Sequence, residues 1–269
     1  MLSEGKNIPL LSIITVCRND AARLKKTIES LSQFYNNPRF EHVVVDGDST
    51  DATDLLVAPL MHKKNFKFYS GKDSGIYDAM NHGVSSSLAP LLLFLNCGDT
   101  IIATPSELLG YLGRLVARDG TVDLDITCFP VRQVGAKGAR TATPVRLTTN
   151  KMPASHQGMV FARRFVQLNK YNASYKIAGD FDLYLRASRT GIFAETADMA
   201  GMPFVAVEVD GVASASPLKS YGEYLKIAYR RLKGRSRIVA IALIGVRALL
   251  VVMVKIIFPK RFIVLLRGI

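Results

Sequence analysis

The chain has 269 residues, 49% of them hydrophobic, which is enough for one substantial α/β core plus an appendage, and it carries a formal charge of +13. The charge is uneven: residues 218–269 hold 12 Lys or Arg against one acid, Glu223, while the first 217 residues hold 23 against 21. That distribution excludes a uniformly basic nucleic-acid binder, and three scattered cysteines, Cys17, Cys97 and Cys128, exclude a disulfide framework or metal cluster and fit a reducing cytosol.

The N-terminal MLSEGKNIPL lacks the charged start and apolar core of an export signal, so none is expected. Leu10 to Cys17 reads as a buried strand, followed by a turn at Arg18, Asn19 and Asp20 and a helix with Leu24, Ile28 and Leu31 inward. Asp20 is the expected N-cap of that helix. His42 to Val45 is a second strand that stops in acids, giving DGDSTDAT, in which Asp51 suits the N-cap of the next helix. Phe66 to Tyr69 is a third strand, and it delivers Lys72 and Asp73.

A short helix with Ile76, Met80 and Val84 on one face follows, then an unalternating apolar strand, Pro90 to Leu95, which ends in Asn96, Gly98 and Asp99. Ligands of parallel sheets bind beyond the carboxyl ends of the strands, so Asp46, Asp73 and Asp99 would line one crevice. Asp99 is a hard oxygen ligand for a divalent cation bridging phosphates, and Gly98 lets an anion approach the backbone. A plain turn is the competing reading for Asn19 and for the Asn96–Asp99 tip. Further on, Pro105 to Arg118 reads as an amphipathic helix, Val122 to Val131 as a strand, Arg140 to Thr148 as part of a hairpin or lid, and Phe204 to Val209 as a late strand.

GIYDAMNHG followed by a strand ending LNCGD resembles the central signature of family 2 glycosyltransferases, inverting enzymes of the GT-A fold. The resemblance covers roughly residues 8 to 217. It implies an α/β architecture, a mostly parallel Rossmann-like sheet flanked by helices, and a nucleotide-sugar donor, a UDP-sugar ahead of a GDP-sugar. It also implies that backbone near Thr15 and Val16, with Asn19, supports the nucleotide, and that Asp46 meets base and ribose. Lys72, Asp73, Asn81, Asn96 and Gly98 join them around the donor. Asp99 becomes the main protein ligand of Mn2+ or Mg2+, because Asn96, Cys97 and Gly98 stand where many members have an Asp-x-Asp motif. His156 and Gln157 in MPASHQGMVF match a His-Gln pair near the acceptor and donor sugar, and a structural histidine is the alternative. YKIAGDFDLYLRAS resembles the segment carrying the catalytic base, which is Asp180, with Asp182 the weaker candidate. An inverting transfer needs one carboxylate to take the acceptor hydroxyl proton, although a helix N-terminus also suits a carboxylate that only caps. DGVASASPLKS resembles a segment that closes the donor site.

Residues 1–217 are thus the expected catalytic domain and 218–269 a membrane-association tail. Ser216 to Lys233 reads as a basic helix, and Ile238 to Phe258 as an apolar run broken by Arg247 and Lys255. Length allows a span, but a mid-bilayer arginine costs about 2.5 to 3.5 kcal/mol, which favours helices lying in the interface. A dimer-forming helix pair is a further option. An anionic membrane surface and a polyprenyl-diphosphate-linked glycan acceptor are the expected partners, at the cytoplasmic face of the plasma membrane, with no nucleic acid. Rival readings are a scaffold that has lost chemistry and a nucleotidyltransferase, although TVCRND lacks the Gly-rich loop of the latter.

Overall fold

The computed structural model describes residues 8–117, 119–135, 138–145, 148–187, 193–195, 202–208 and 217–257. Four apolar strands form the parallel half of the main sheet: β1 (Leu11–Cys17), β2 (Phe40–Asp46), β3 (Phe66–Ser70) and β4 (Leu91–Phe94). β1 lies between β2 and β4, in register Cys17 with Asp46 and Ile14 with Phe94, and β3 lies outside β2. Continuous apolar strands need cover on both faces. Helices α1 (Ala21–Ser30), α2 (Thr53–Val57) and α3 (Ile76–Ser86) follow β1, β2 and β3 in turn.

The strand predicted over 122–131 is divided between two sheets. β6 (Ile126–Cys128) extends the main sheet, whereas β7 (Val131–Gly135) belongs to a second sheet. The break follows Phe129 and Pro130, and proline has no amide to continue a ladder. The second sheet runs β5 (Thr100–Ile101), β11 (Val205–Glu208), β7, β8 (Gly138–Ala142). β7 and β8 form the expected hairpin, with Gly135 paired to Gly138. The long helix predicted from Pro105 is shorter: α4 (Pro105–Leu112) opens on a capping box in which Thr104 accepts from the Glu107 amide, and a single tighter turn follows it.

β9 (Met159–Ala162) was not apparent in the sequence. It is four fully buried residues, antiparallel to both β4 and β6, and it closes the main sheet as β10 (Phe193–Glu195), β6, β9, β4, β1, β2, β3 among the described residues. Helices α5 (Arg163–Asn169), α6 (Gly179–Ala187), α7 (Pro217–Arg231) and α8 (Gly234–Ile257) complete the chain. Cys17 and Cys97, remote in sequence, reach neighbouring strand ends, and both are free thiols. Burial and the Cys97 hydrogen bond set them apart, with Cys17 lowered by its bond to Cys97 and Cys97 raised.

Gly83 decides how closely α3 can approach the sheet. A methyl there would run into the Ile14 side chain on β1 and sit 3.5 Å from Val45 on β2. Gly83→Ala should therefore destabilise the fold by about 1–3 kcal/mol through overpacking. Thermal unfolding checks this, and an unchanged melting temperature would show that α3 does not need the close approach.

Candidate active site

Parallel strands β1 to β4 end at one edge of the sheet, so their following loops gather there. β9 runs the other way, so the turn that enters it, His156–Gly158, lies at the same edge. Asp46, the last residue of β2, is buried, and its carboxylate accepts from the Ser49 amide at 2.9 Å, the Ser49 hydroxyl, and the Ser70 hydroxyl at 2.8 Å. Asp46 thereby pins the loop after β2 to the end of β3. Asn19, with φ of 51°, ties the loop after β1 to the same segment: its Oδ1 accepts from the Thr50 amide at 2.8 Å, and its own amide donates to Ser49.

Asp20 occupies the N-cap position of α1 as expected, but its side chain makes no capping hydrogen bond. Asp20 forms an ion pair with Arg23 at 3.5 Å, and Asp51 accepts from the Ala21 amide at 2.9 Å across 30 residues. The second Asp51 oxygen takes the Thr53 amide and hydroxyl, so one carboxylate serves the starts of two helices. These bonds hold the exposed Asp51 carboxyl below the usual range, the Thr53 hydroxyl contributing most.

A cleft of about 390 Å³ opens between these loops and α3, lined among others by Asp46, Ser70, Lys72, Asp73, Asp78 and His82. Gly47 lets the Asp73 carboxylate approach the end of β2, since a Cβ there would lie 2.7 Å from Asp73 Oδ2. Asp73 Oδ1 accepts from the Gly75 amide at 2.9 Å, which leaves the acid at the cleft wall beside exposed Lys72. Thr15 presents only backbone here, since its hydroxyl lies 3.0 Å from His42 Nε2 inside the sheet. The Val16 carbonyl accepts from the Cys97 thiol at 3.4 Å. Asn81 spends its amide on α5's following loop, donating to the Tyr171 carbonyl at 2.9 Å and accepting from the Tyr171 amide at 2.7 Å.

Asp99 lies outside the walls of that cleft. It is 3% exposed, with Oδ2 accepting from Gln157 Nε2 at 2.8 Å and Oδ1 from the Glu208 amide at 3.0 Å. Burial pushes its carboxyl up to about 6, against the lowering effect of those bonds. Gly98 is held by Thr27, and its φ of 93° favours glycine, with Arg23 and Glu208 side chains crowding the position a Cβ would take. The Asn96 carbonyl accepts from Thr27 and from the Asp99 amide. Among the described residues no three acids, histidines or cysteines group as a metal site. Asp99 is a single buried carboxylate with both oxygens hydrogen-bonded, so a divalent ion there would have to displace one of those contacts and take its other ligands from a diphosphate and water.

His156 is buried, stacked on Phe94 at 5.1 Å, with Nε2 2.7 Å from the Tyr171 hydroxyl. Burial lowers it to about 4, so the ring is neutral. Tyr171 in turn stacks on Tyr77 at 5.4 Å, and Tyr77 donates to the Ile177 carbonyl at 2.7 Å. Lys176 Nζ donates to the Ser74 carbonyl at 2.7 Å, so the segment entering α6 is fastened to the loop after β3 from two sides. Asp180 emerges from that segment, half-buried, with Oδ1 accepting from the Phe181 amide at 2.9 Å. Burial is the main reason its carboxyl rises to about 6; the charge of Glu223 adds to the rise, and backbone hydrogen bonds oppose it. Gly179 is required beside it, since a Cβ would meet the Tyr77 ring at 2.7 Å. Asp182 points into the protein instead, wholly buried and paired with Arg231 and Arg186. Nothing in the sequence pattern singles out Tyr171, Glu208 or the partners of Glu223. DGVASASPLKS lies outside the described residues up to Ser216.

The sequence pattern of glycosyl transferase family 2 matches residues 12–137. A glycosyltransferase of Mycobacterium tuberculosis is 30% identical over 190 residues, which span 67% of this chain and 69% of the relative. This chain belongs to glycosyl transferase family 2. A PGL/p-HBAD biosynthesis glycosyltransferase of Mycobacterium bovis is 29% identical over 182 residues, covering 66% of this glycosyltransferase and 69% of that one. Among solved structures, S. aureus TarS 1–349 in complex with UDP has a TM-score of 0.63 at 16% identity, covering 94% of this chain and 73% of its own. The mannosyltransferase PcManGT from Pyrobaculum calidifontis, in complex with GDP-Man and Mn2+, has a TM-score of 0.62 at 13% identity and covers 89% and 70%. The architecture of this glycosyltransferase is therefore the GT-A type, with a mostly parallel sheet between helices.

The raised Asp180 carboxyl makes a stability prediction. A folded-state value near 6 above an ordinary value of about 3.9 means that charging Asp180 costs the native state stability as pH rises through that window. The melting temperature of Asp180→Asn relative to wild type should therefore climb from about pH 4 to about pH 7 and level off above it. A difference that stays constant with pH would show Asp180 to be an ordinary solvated carboxylate.

Proposed function

We propose that this glycosyltransferase inverts the anomeric centre as it moves a hexosyl group from a nucleotide sugar to a glycan acceptor carried on a membrane polyprenyl diphosphate. The donor is a UDP-sugar in preference to a GDP-sugar, and the product feeds surface-polysaccharide synthesis at the cytoplasmic face of the plasma membrane. Residues 1–217 carry the chemistry and residues 218–269 the membrane contact. The observation that carries this reading is the common rim: the cleft holding Asp46 and Asp73 adjoins, through Ser74 and Lys176, the segment that ends in Asp180.

In this reading, Asp46 and Asp73, with Asn19, Lys72 and backbone near Thr15 and Val16, receive the nucleoside. Gly98, Asn96 and Asn81 shape the passage for the diphosphate by fixing the loops that carry them. Asp99 would hold Mn2+ or Mg2+, which when bound offsets charge on the departing diphosphate. TarS with UDP and PcManGT with GDP-Man support a nucleotide-sugar donor, and the Mn2+ of PcManGT supports a divalent ion. Gln157 orients Asp99, and neutral His156 steadies the wall through Tyr171. Asp180, near 6, is ionised at neutral pH yet basic enough to accept the proton of the attacking hydroxyl. With Asp180 ionised for attack, kcat/KM falls on the acid side with a midpoint near 6.

Screening UDP- and GDP-sugars by thermal shift, with and without manganese, identifies the donor. With that donor, Asp180→Asn should retain UDP binding while losing transfer by about 10²-fold or more. Wild-type turnover by that variant would end the assignment of Asp180 as base.

The membrane part of the reading rests on α8. Ile238, Val239, Leu243, Val246, Leu249 and Leu250 are exposed, whereas Ala240 and Ile244 are buried against the protein and Arg247 donates to the Asn150 carbonyl at 3.1 Å. A helix held along one side of the body in this way suits an in-plane position, with its outer apolar face in the lipid and the cations of α7 and α8 near the headgroups. The full-length protein should float with vesicles containing phosphatidylglycerol, and a Leu249→Asp, Leu250→Asp double variant should stay with the soluble fraction. Equal flotation of both proteins would remove α8 as the contact.

A further inference from the structure

We infer that Glu223, on α7, is a positioning residue for Asp180, holding the backbone turn from which that carboxylate projects. The inference rests on the reading of Asp180 as the base. The first amides of a helix have no partner within it. At the entrance to α6, three consecutive amides converge on one side chain: Lys176 donates to Glu223 Oε1 at 2.8 Å, and Ile177 and Ala178 donate to Oε2 at 2.9 and 2.8 Å. The partner comes from more than 40 residues further along the chain, so this is a tertiary contact and not a local cap.

The same helix grips the far side of Asp180. Arg231 binds Asp182 at two points, Nε to Oδ1 at 2.7 Å and Nη2 to Oδ2 at 3.1 Å, and the Tyr224 ring stacks on Phe181 at 4.4 Å. Residues 176–178 and 181–182 are thus fixed by α7, with Asp180 between them. Two-point bonding of a guanidinium to a carboxylate fixes orientation as well as distance. A hydroxyl and a base that must meet within hydrogen-bond reach are sensitive to displacements of about 1 Å, which can cost about 10²-fold in rate. Glu223 has a second consequence. Asp180 is faced by Tyr77 from α3, Tyr171 from the loop after α5, and Tyr224 and Glu223 from α7, with Lys176 directed to Ser74. Burial drives all three tyrosines upward, so they are neutral, and Glu223 is the anion of the group. Its charge favours the protonated form of Asp180.

The test uses the full chain, 13C-carboxyl NMR titration of Asp180, calorimetric UDP binding, and transfer from the nucleotide sugar that the panel selects. Glu223→Gln keeps the volume and one acceptor oxygen but removes the charge. It should leave UDP affinity unchanged, lower kcat by about ten- to a hundred-fold, and move the Asp180 midpoint downward. Glu223→Asp keeps the charge with a shorter reach, so kcat should fall while the midpoint stays near the wild-type value. It carries the test if Glu223→Gln does not fold. Wild-type kcat and an unmoved midpoint in Glu223→Gln, or wild-type kcat in Glu223→Asp, overturns the inference. Failure of the underlying reading is distinguishable: Asp180→Asn would then transfer sugar normally whatever the Glu223 variants do.

Discussion

Because β1 pairs in parallel with β2 on one side and β4 on the other, three chain segments that are far apart in sequence must finish at one edge. Backbone amides and carbonyls are satisfied by the ladder up to that edge and by nothing regular beyond it. The residues that follow the strands therefore have to be held by side chains. Asp46 with Ser49 and Ser70, Asn19 with Thr50, Asp51 with Ala21 and Thr53, and Thr27 with Gly98 each join two loops or a loop and a helix. Short polar side chains at strand ends do double work here. They stiffen the rim, and they leave acids such as Asp73 facing the cleft.

The antiparallel strand β9 adds what a purely parallel sheet could not. Its reversed direction brings the preceding turn to the same rim, so Gln157 meets Asp99 and His156 meets Tyr171. From Tyr171 the contacts pass to Tyr77 and on to the carbonyl of Ile177, three residues before Asp180. The stretch from the Asp99 carboxylate to the Asp180 carboxylate is thereby spanned by packed, hydrogen-bonded side chains. Burial along that path keeps His156 neutral and the tyrosines protonated, so among these groups the carboxylates are the ones that carry charge.

The parallel half was legible because its strands are unbroken apolar runs with polar ends, a pattern that few other structures produce. Asp46, Asp73 and Asp99 were visible as strand-end acids for the same reason. β9 was hidden: Met159 to Ala162 is too short for periodicity, and only its partners define it. The division of 122–131 between two sheets was hidden too, although Pro130 was a usable signal. Asp20 holds the N-cap position of α1 as its type suggests, but the carboxylate that takes the Ala21 amide is Asp51 from the next loop, because propensity names the residue type and not the partner. Glu223 was counted as the single acid among twelve cations in the tail, and that isolation was the available clue. The partners of that acid, the amides of Lys176, Ile177 and Ala178, lie more than 40 residues away in sequence, so only the fold reveals the contact.

Two aspartates two residues apart on α6 show how the environment divides roles. Asp182 is wholly buried and bonded by Arg231 at two points and by Arg186 at 3.2 Å, so its oxygens are spoken for and its charge is compensated. Either arginine alone still leaves the buried carboxylate a cationic partner, so its charge is compensated twice over. Asp180 has the opposite surroundings: one backbone amide, three neutral tyrosines and the anion of Glu223. A carboxylate so placed holds its proton more readily than an exposed one and remains partly open to an incoming hydroxyl. Both arrangements depend on α7, whose Glu223 raises the affinity of Asp180 for a proton while its Arg231 immobilises the neighbour that could compete for the same role. A single helix outside the main sheet thus separates the ion-paired acid from the one proposed as base.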